Sequence, residues 1–262
     1  MSRSEDAPDA RLTAPYSVLA VGYDVVMSHV DYELWAEYVQ KLLDEHAPAA
    51  ETVLELGCGT GSFAIELLSR HPYRYLATDA SEMMIKVARR KAEELEEVDL
   101  RFDLADFTNF RVDTRVDAIL LLYDGLNYLL ETDDIRRLFT CTYRALQPGG
   151  VFVVDQSTPS NSVNNERFFE DSNEVEDFSY VRCSRYDAET HLHRTELDIT
   201  VGERRFTERH VQRAYSLEEI RALIDEVEFT VEACYDGFSM DAATEASERA
   251  HWVLRRPDEA TS

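Results

Sequence analysis

Apolar positions along the chain follow two rhythms. In the first 160 residues, helical spacing alternates with short, nearly unbroken apolar runs. "ELWAEYVQKLLDEH" (33–46) places its apolar residues on one helical face, and Val53 to Leu56 form a run suited to a buried strand. A helix over 62–69 and a strand over 74–78 follow. "SEMMIKVARRKAEELEE" (81–97) is then predicted as a helix capped by Ser81, and 100–103 as a short strand. "VDAILLL" (116–122) is apolar at almost every position, as a strand covered on both faces must be. "DDIRRLFTCTYRAL" predicts another helix, and "PGG" predicts a turn into the strand "VFVVD". Strands alternating with helices imply a parallel sheet with right-handed crossovers, an open α/β sandwich.

From about 162 to 214 the rhythm changes. "FSYVRCSRYD", "HLHRTELDITV" and "RRFTERHVQRAY" are rich in β-branched and aromatic residues with partial alternation, and "VGERR" reads as a turn between two of them. This predicts an antiparallel insertion. The helical pattern "SLEEIRALIDEV" and strands at 229–235 and 249–255 then return to the main sheet. The ends, "MSRSEDAPDA" and "RPDEATS", are expected to fray.

Charge changes the picture of the partners. The chain has 52 Asp and Glu against 27 Lys and Arg, a formal net charge of −25. Such a field repels phosphate backbones, and no local basic patch offsets it, so nucleic acid is a poor partner. Only Lys41, Lys86 and Lys91 are lysines, and acids are spread along the whole chain. This pattern fits an acidic proteome in a salty cytoplasm, where screening relieves self-repulsion. The expected outcome is a higher melting temperature in molar potassium chloride than in dilute buffer; equal temperatures would remove the explanation. Cys58, Cys141, Cys183 and Cys234 lie far apart, without a CxxC pair, which argues against structural zinc and a disulfide framework. No stretch approaches the roughly 18 apolar residues of a membrane span, and the first fifteen residues lack a secretory apolar region. A cytoplasmic monomer or homodimer is expected.

The candidate chemistry sits at "VLELGCGTGSFAIELL" (53–68), where Gly57, Gly59 and Gly61 follow an apolar strand and open a helix. Such a turn lets a ligand approach the backbone. A dinucleotide fingerprint needs its last glycine at position 62, which is Ser, and a phosphate loop needs a lysine that is absent. Glu55-Leu-Gly57-Cys-Gly59-Thr-Gly61 resembles motif I of the class I S-adenosylmethionine-dependent methyltransferases, and Asp79 ends the next strand 18 residues after Gly61. The resemblance spans roughly 50–155 and includes "DLADF", "VDAILLLYDGLNYL" and "LQPGGVFVVD". It implies a Rossmann-like α/β fold, a seven-stranded mostly parallel sheet with helices on both faces and an antiparallel β insertion before the last two strands. It also implies four segments: an N-terminal helical lid (1–48), a cofactor-binding core (49–160), a cap over the acceptor site (161–214) and completion of the sheet (215–256).

S-adenosylmethionine has a sulfonium and no phosphates, so bare glycines suit its methionine and ribose portions. Asp79 is placed to accept hydrogen bonds from ribose hydroxyls. The resemblance implies that Asp103 and Leu104 contact the adenine, that Met83 packs on it, that Glu55 faces the ammonium through water, and that Tyr23, within "YD", closes over the cofactor. Cys58, Ala80 and Leu122 complete the implied cofactor contacts. The plainer readings are an N-cap role for Asp79, a strand-end acid for Asp103 and core packing for Met83.

Ligands of open α/β sheets bind beyond the carboxyl ends of the strands. That rule makes Tyr123, Asp124, Asn127 and Tyr128 candidates for the acceptor site, together with the aromatic N-terminal residues Tyr16, Tyr32 and Trp35. Aromatic faces attract a sulfonium by about 0.5–2 kcal/mol each. The insertion adds Arg182, Arg185, His191, His193, Glu208, His210, Gln212 and Arg213, of which Arg213 is expected to bind the acceptor. His210 is a candidate general base and Tyr123 a second catalytic candidate. His191-x-His193 would share a strand face, but spacing supplies no third ligand, so no metal is expected. The expected activity is methyl transfer to nitrogen or oxygen of a small molecule, with S-adenosylhomocysteine as product. Alternatives are a transfer RNA or protein acceptor, a non-catalytic cofactor-binding protein, and a nicotinamide-dependent oxidoreductase, against which Ser62 and "LQPGG" count.

Overall fold

The computed structural model describes residues 10–258 apart from 94, 96 and 97. Parallel pairing builds the centre of the main sheet from β2 (Thr52–Leu56), β3 (Arg74–Asp79), β4 (Leu100–Leu104), β5 (Val116–Leu121) and β6 (Leu146–Ser157), after a short N-terminal strand, β1 (Arg11–Thr13), that lies elsewhere. An insertion carries β7 (Glu170–Val175), β8 (Phe178–Asp187), β9 (Leu192–Val201) and β10 (Arg204–Arg213). Then β11 (Thr230–Asp236) and β12 (Arg249–Arg255) complete seven strands in the order β11-β12-β6-β5-β2-β3-β4, with β12 antiparallel to both neighbours. The helices are α1 (Tyr23–Val26), α2 (Tyr32–His46), α3 (Ser62–Leu68), α4 (Glu82–Ala92), α5 (Thr132–Ala145), α6 (Pro159–Asn164) and α7 (Leu217–Asp225).

The apolar run of β5 is explained by burial on both faces. Ala118 and Leu120 pack with Trp35, Leu42 and Phe63 on one side, while Ile119 and Leu121 pack with Phe139, Tyr215 and Ile224 on the other. Caps set the helix starts: Asp31 accepts Leu34 N, Ser81 accepts Met84 N, and Ser216 with Glu219 forms a capping box. The end of the helix expected over 81–97 lies partly outside the described residues, as do most of the ends expected to fray.

The 162–214 region forms a second sheet, β1-β10-β9-β8-β7. Leu19 and Val26 from the N-terminal segment pack against its Phe178, Tyr180, Leu197 and Ile199. Two features depart from the sequence reading. Residues 11–13 pair with β10 in parallel, because β10 offers an open edge there. "PGG" is not a simple turn but the bulged start of β6: Gly149 has φ +79 and donates to Arg256 O, and the β5–β6 register shifts between Val116 and Ala118.

Candidate active site

The loop after β2 holds Gly59 and Gly61 at φ +55 and +75, where a side chain would be strained. At Gly61 a Cβ would also lie 2.9 Å from the Phe102 ring, so its bareness serves the packing of α3 on β4. At Gly59 a Cβ would face the Tyr23 ring at 3.6 Å, filling the slot between the loop and the N-terminal segment. That segment is tied down beside the slot. Asp24 accepts from Thr60 Oγ1 at 2.5 Å and pairs with Lys91 Nζ at 2.7 Å, while Lys91 also donates to Ser62.

Asp79 ends β3, half-buried. Its Oδ2 accepts Gly59 N at 2.9 Å and its Oδ1 accepts Ser81 N at 2.7 Å. Burial raises its pKa, and the two N–H groups offset that rise in part. Each oxygen keeps a lone pair for a ligand hydroxyl. The bare backbone, the carboxylate at the strand end and the aromatic cover fit a phosphate-free nucleoside with a sulfonium. Glu55, 3% exposed, accepts from Tyr75 Oη at 3.0 Å, and burial pushes its carboxyl up to about 8. Cys58 in the loop and Leu122 after β5 are buried, and Met83 is partly buried on α4. Ala80, Asp103 and Leu104 form an exposed rim, where Asp103 lies 3.6 Å from Arg89.

Beyond the ends of β5 and β6 a cavity of about 610 Å³ opens between the N-terminal segment and the second sheet. Tyr16, Tyr23, Trp35, Tyr123, Asp124, Tyr128, His193, His210 and Arg249 line it. Tyr123 and Asp124 have φ +55 and +60, left-handed conformations that cost non-glycine residues about 1–3 kcal/mol each and collect at functional sites. They are held by ring contacts of Tyr123 with Trp35 (4.2 Å) and Tyr32 (5.6 Å), and by Asp124 N donating to Asp155 Oδ2 at 3.0 Å. Arg249 Nη1 lies 2.8 Å from Asp124 Oδ1 and also bonds Asp155. The opposite wall holds a polar chain. Tyr16 Oη donates to Tyr128 Oη, which lies 3.1 Å from His210 Nδ1, and His210 Nε2 is 3.3 Å from Glu208 Oε2.

Several expected acceptor residues do not reach this cavity. Asn127 is 2% exposed; its amide donates to Ser157 O and Arg213 O and accepts Ser157 N, so its role is to hold the chain. Arg213 turns to Glu219 at 3.1 Å and stacks on Tyr215, because it shares strand parity with Arg209 rather than His210. Tyr32 backs Tyr123 from behind. The Tyr123 hydroxyl is buried without a hydrogen-bond partner among the described residues, and burial drives its pKa far up, so it stays a neutral hydroxyl and does not serve as a phenolate base. His191 precedes β9 with φ +56 and so does not share a face with His193; among the described residues no group of His, Cys, Asp and Glu could hold a metal. Glu208 and Arg249 were not assigned a role from sequence. Parity alone pairs Glu208 with His210.

Residues 53–150 match the family model of a methyltransferase domain. A putative methyltransferase of Geobacillus is 29% identical over 92% of this chain and 99% of its own length. Among solved structures, an S-adenosylmethionine-dependent methyltransferase of Clostridium acetobutylicum aligns with TM-score 0.76 at 21% identity, covering 92% of this chain and 98% of that one. An S-adenosylmethionine-bound amino pentose methyltransferase of Micromonospora echinaspora aligns at 0.68 and 21%, covering 97% and 100%. At these identities the structural likeness speaks for the Rossmann-like fold. Among the described residues no helix is long and apolar enough to cross a membrane. With the domain match and the relative that aligns along most of the chain, the glycine loop has its explanation: residues 53–150 form a methyltransferase domain, in a chain similar to a putative methyltransferase over 92% of its length.

Proposed function

We propose that this methyltransferase acts on an amine of a small molecule, with Asp79 holding the cofactor ribose, the 57–61 loop passing beneath the methionine portion, and the N-terminal segment and second sheet acting as lid and acceptor cap. The observation that carries this reading is the 610 Å³ cavity, walled by aromatic rings and polar groups, that adjoins the loop through Tyr23. Its size suits a ligand of modest bulk. The amino pentose methyltransferase of similar fold supports the choice of an amine. When bound, S-adenosylmethionine supplies an electrophilic methyl on sulfur; the amine lone pair forms the new N–C bond while the C–S pair stays with sulfur, leaving S-adenosylhomocysteine. The protein orients the acceptor, excludes water with Tyr16, Tyr23 and Trp35, and removes the proton of an ammonium through Tyr128 and His210.

Calorimetric titration with S-adenosylmethionine and S-adenosylhomocysteine tests the cofactor half. Asp79→Ala should weaken both by about 1–3 kcal/mol, the worth of hydrogen bonds to a charged group. Unchanged affinity would take Asp79 out of the site. A panel of amines, carboxylates and phenols, read by S-adenosylhomocysteine release, tests the acceptor half; tight cofactor binding without turnover on any of them would favour a non-catalytic binder.

Glu55 adds a pH signature. With its carboxyl up at about 8, it is mostly protonated at pH 7. A ligand ammonium nearby lowers that value, so binding at pH 7 should release up to about one proton, and less at pH 9, where Glu55 is already ionised. Titrations in buffers of different ionisation enthalpy measure the release. Equal enthalpies in every buffer, or the same release from Glu55→Gln, would separate Glu55 from the ligand.

A further inference from the structure

Glu208 is fully buried, and beyond its contact with His210 it has no part in methyl transfer or cofactor binding as described. Its Oε2 accepts Tyr16 N at 2.7 Å, and its Oε1 accepts Val18 N at 2.7 Å and Leu19 N at 2.9 Å, with Ser17 Oγ at 3.4 Å. One carboxylate therefore gathers four donors from four consecutive residues. Burial alone would raise its pKa, yet the His210 contact and the three N–H groups hold it below the usual range, consistent with an ionised clamp. Among the residues it seats, Tyr16 has φ +61, a conformation that persists only where surrounding contacts fix it.

Tyr16 faces both halves of the site. Its carbonyl accepts Ser81 Oγ at 3.0 Å, and Ser81 N donates to Asp79 Oδ1, the carboxylate placed for the ribose. Its hydroxyl donates to Tyr128, which reaches His210 and, through it, Glu208 again. The loop of contacts closes on a single carboxylate.

We propose that Glu208 is a positioning residue that seats the Tyr16 segment, so that the cofactor-side contact at Asp79–Ser81 and the Tyr16–Tyr128–His210 chain in the acceptor cavity form together. Seating has one backbone conformation and two consequences: a docked Tyr16 both backs the ribose carboxylate and completes the hydroxyl chain, and a released Tyr16 loses both. A ligand that favours the docked state is thereby coupled to acceptor-site order without touching His210. The coupling rests on the cofactor assignment above, whereas the clamp stands without it.

Hydrogen exchange of the whole chain, with and without S-adenosylhomocysteine, reads both parts without an acceptor. In the ligand-free protein, Glu208→Gln should speed exchange of amides 16–19 at least tenfold while β8 and β9 keep their protection. In the parent, S-adenosylhomocysteine should slow 16–19 as well as the 57–61 loop, and the effect at 16–19 should vanish in the variant. Unchanged exchange at 16–19, or ligand protection there equal to the parent's, would overturn the proposal. If Glu208→Gln loosens the whole second sheet, Ser81→Ala decides, since it meets Tyr16 only from the cofactor side: lost ligand protection at 16–19 supports the coupling, and retained protection overturns it. Parent protein in which the ligand protects the loop but not 16–19 refutes the coupling alone, and one in which it protects neither refutes the cofactor assignment.

Discussion

Arg249→Met is expected to destabilise the protein by about 3–5 kcal/mol at neutral pH, the cost of breaking a buried ion cluster from one side. Arg249 on β12 bridges Asp155, which is 0% exposed on β6, and Asp124 in the turn after β5. Removing the guanidinium leaves two carboxylates facing each other with one backbone N–H, from Asp124, between them. The pKa of Asp124 is already raised, by burial first and by Asp155, with Arg249 working against both. Without Arg249 the rise grows. A folded-state pKa above the unfolded value contributes stability that is present at low pH and lost as pH rises through it, so the deficit should shrink on acidification towards the carboxylate range. Urea unfolding at several pH values checks this, with Arg249→Met plus Asp155→Asn recovering part of the loss. A deficit under 1 kcal/mol at pH 7, or one that grows on acidification, would mean that the cluster is not held as an ion pair.

Legibility in the sequence followed burial. β5 and β12 were readable because strands covered on both faces must be apolar, and the glycine loop because its backbone conformation excludes side chains. β7, "EDSNEV", was not, since an exposed edge strand needs no apolar alternation. The strand at 11–13 was hidden for a different reason: its partner is nearly 200 residues away, and three residues carry no period. In the site, residue type was a poorer guide than parity. Asn127 and Arg213 look like ligand contacts by chemistry, yet one is consumed by backbone groups and the other lies on the far face of β10. Glu208, His210 and Gln212 alternate on the near face, which β10's period of two already implied. What no local pattern contains is that the Glu208 carboxylate meets the backbone of residues 16–19, a contact made only when the two ends of the chain come together.

His210→Asn is expected to lower kcat with a primary amine acceptor by about 10²–10⁴-fold, the usual worth of a positioned general base, while S-adenosylmethionine affinity stays within about threefold. The side chain is 4% exposed and lines the cavity, with Nδ1 at 3.1 Å from Tyr128 Oη and Nε2 at 3.3 Å from Glu208 Oε2. In the tautomer that carries its proton on Nε2, beside the Glu208 carboxylate, Nδ1 accepts from Tyr128, so a proton leaving the acceptor can pass through the tyrosine hydroxyl to the imidazole. Asparagine keeps hydrogen-bonding groups of similar size but cannot take up that proton. Tyr128→Phe should therefore cost nearly as much as His210→Asn, and the double variant little more, because both interrupt one path. Tyr123→Phe should differ, since its hydroxyl has no hydrogen bond to the Tyr128–His210 path. The acceptor supplies the control: a carboxylate acceptor has no proton to lose, and its transfer rate should survive His210→Asn. A kcat within threefold of the parent on the amine, or equal losses on amine and carboxylate, would reduce His210 to a structural member of the cavity wall.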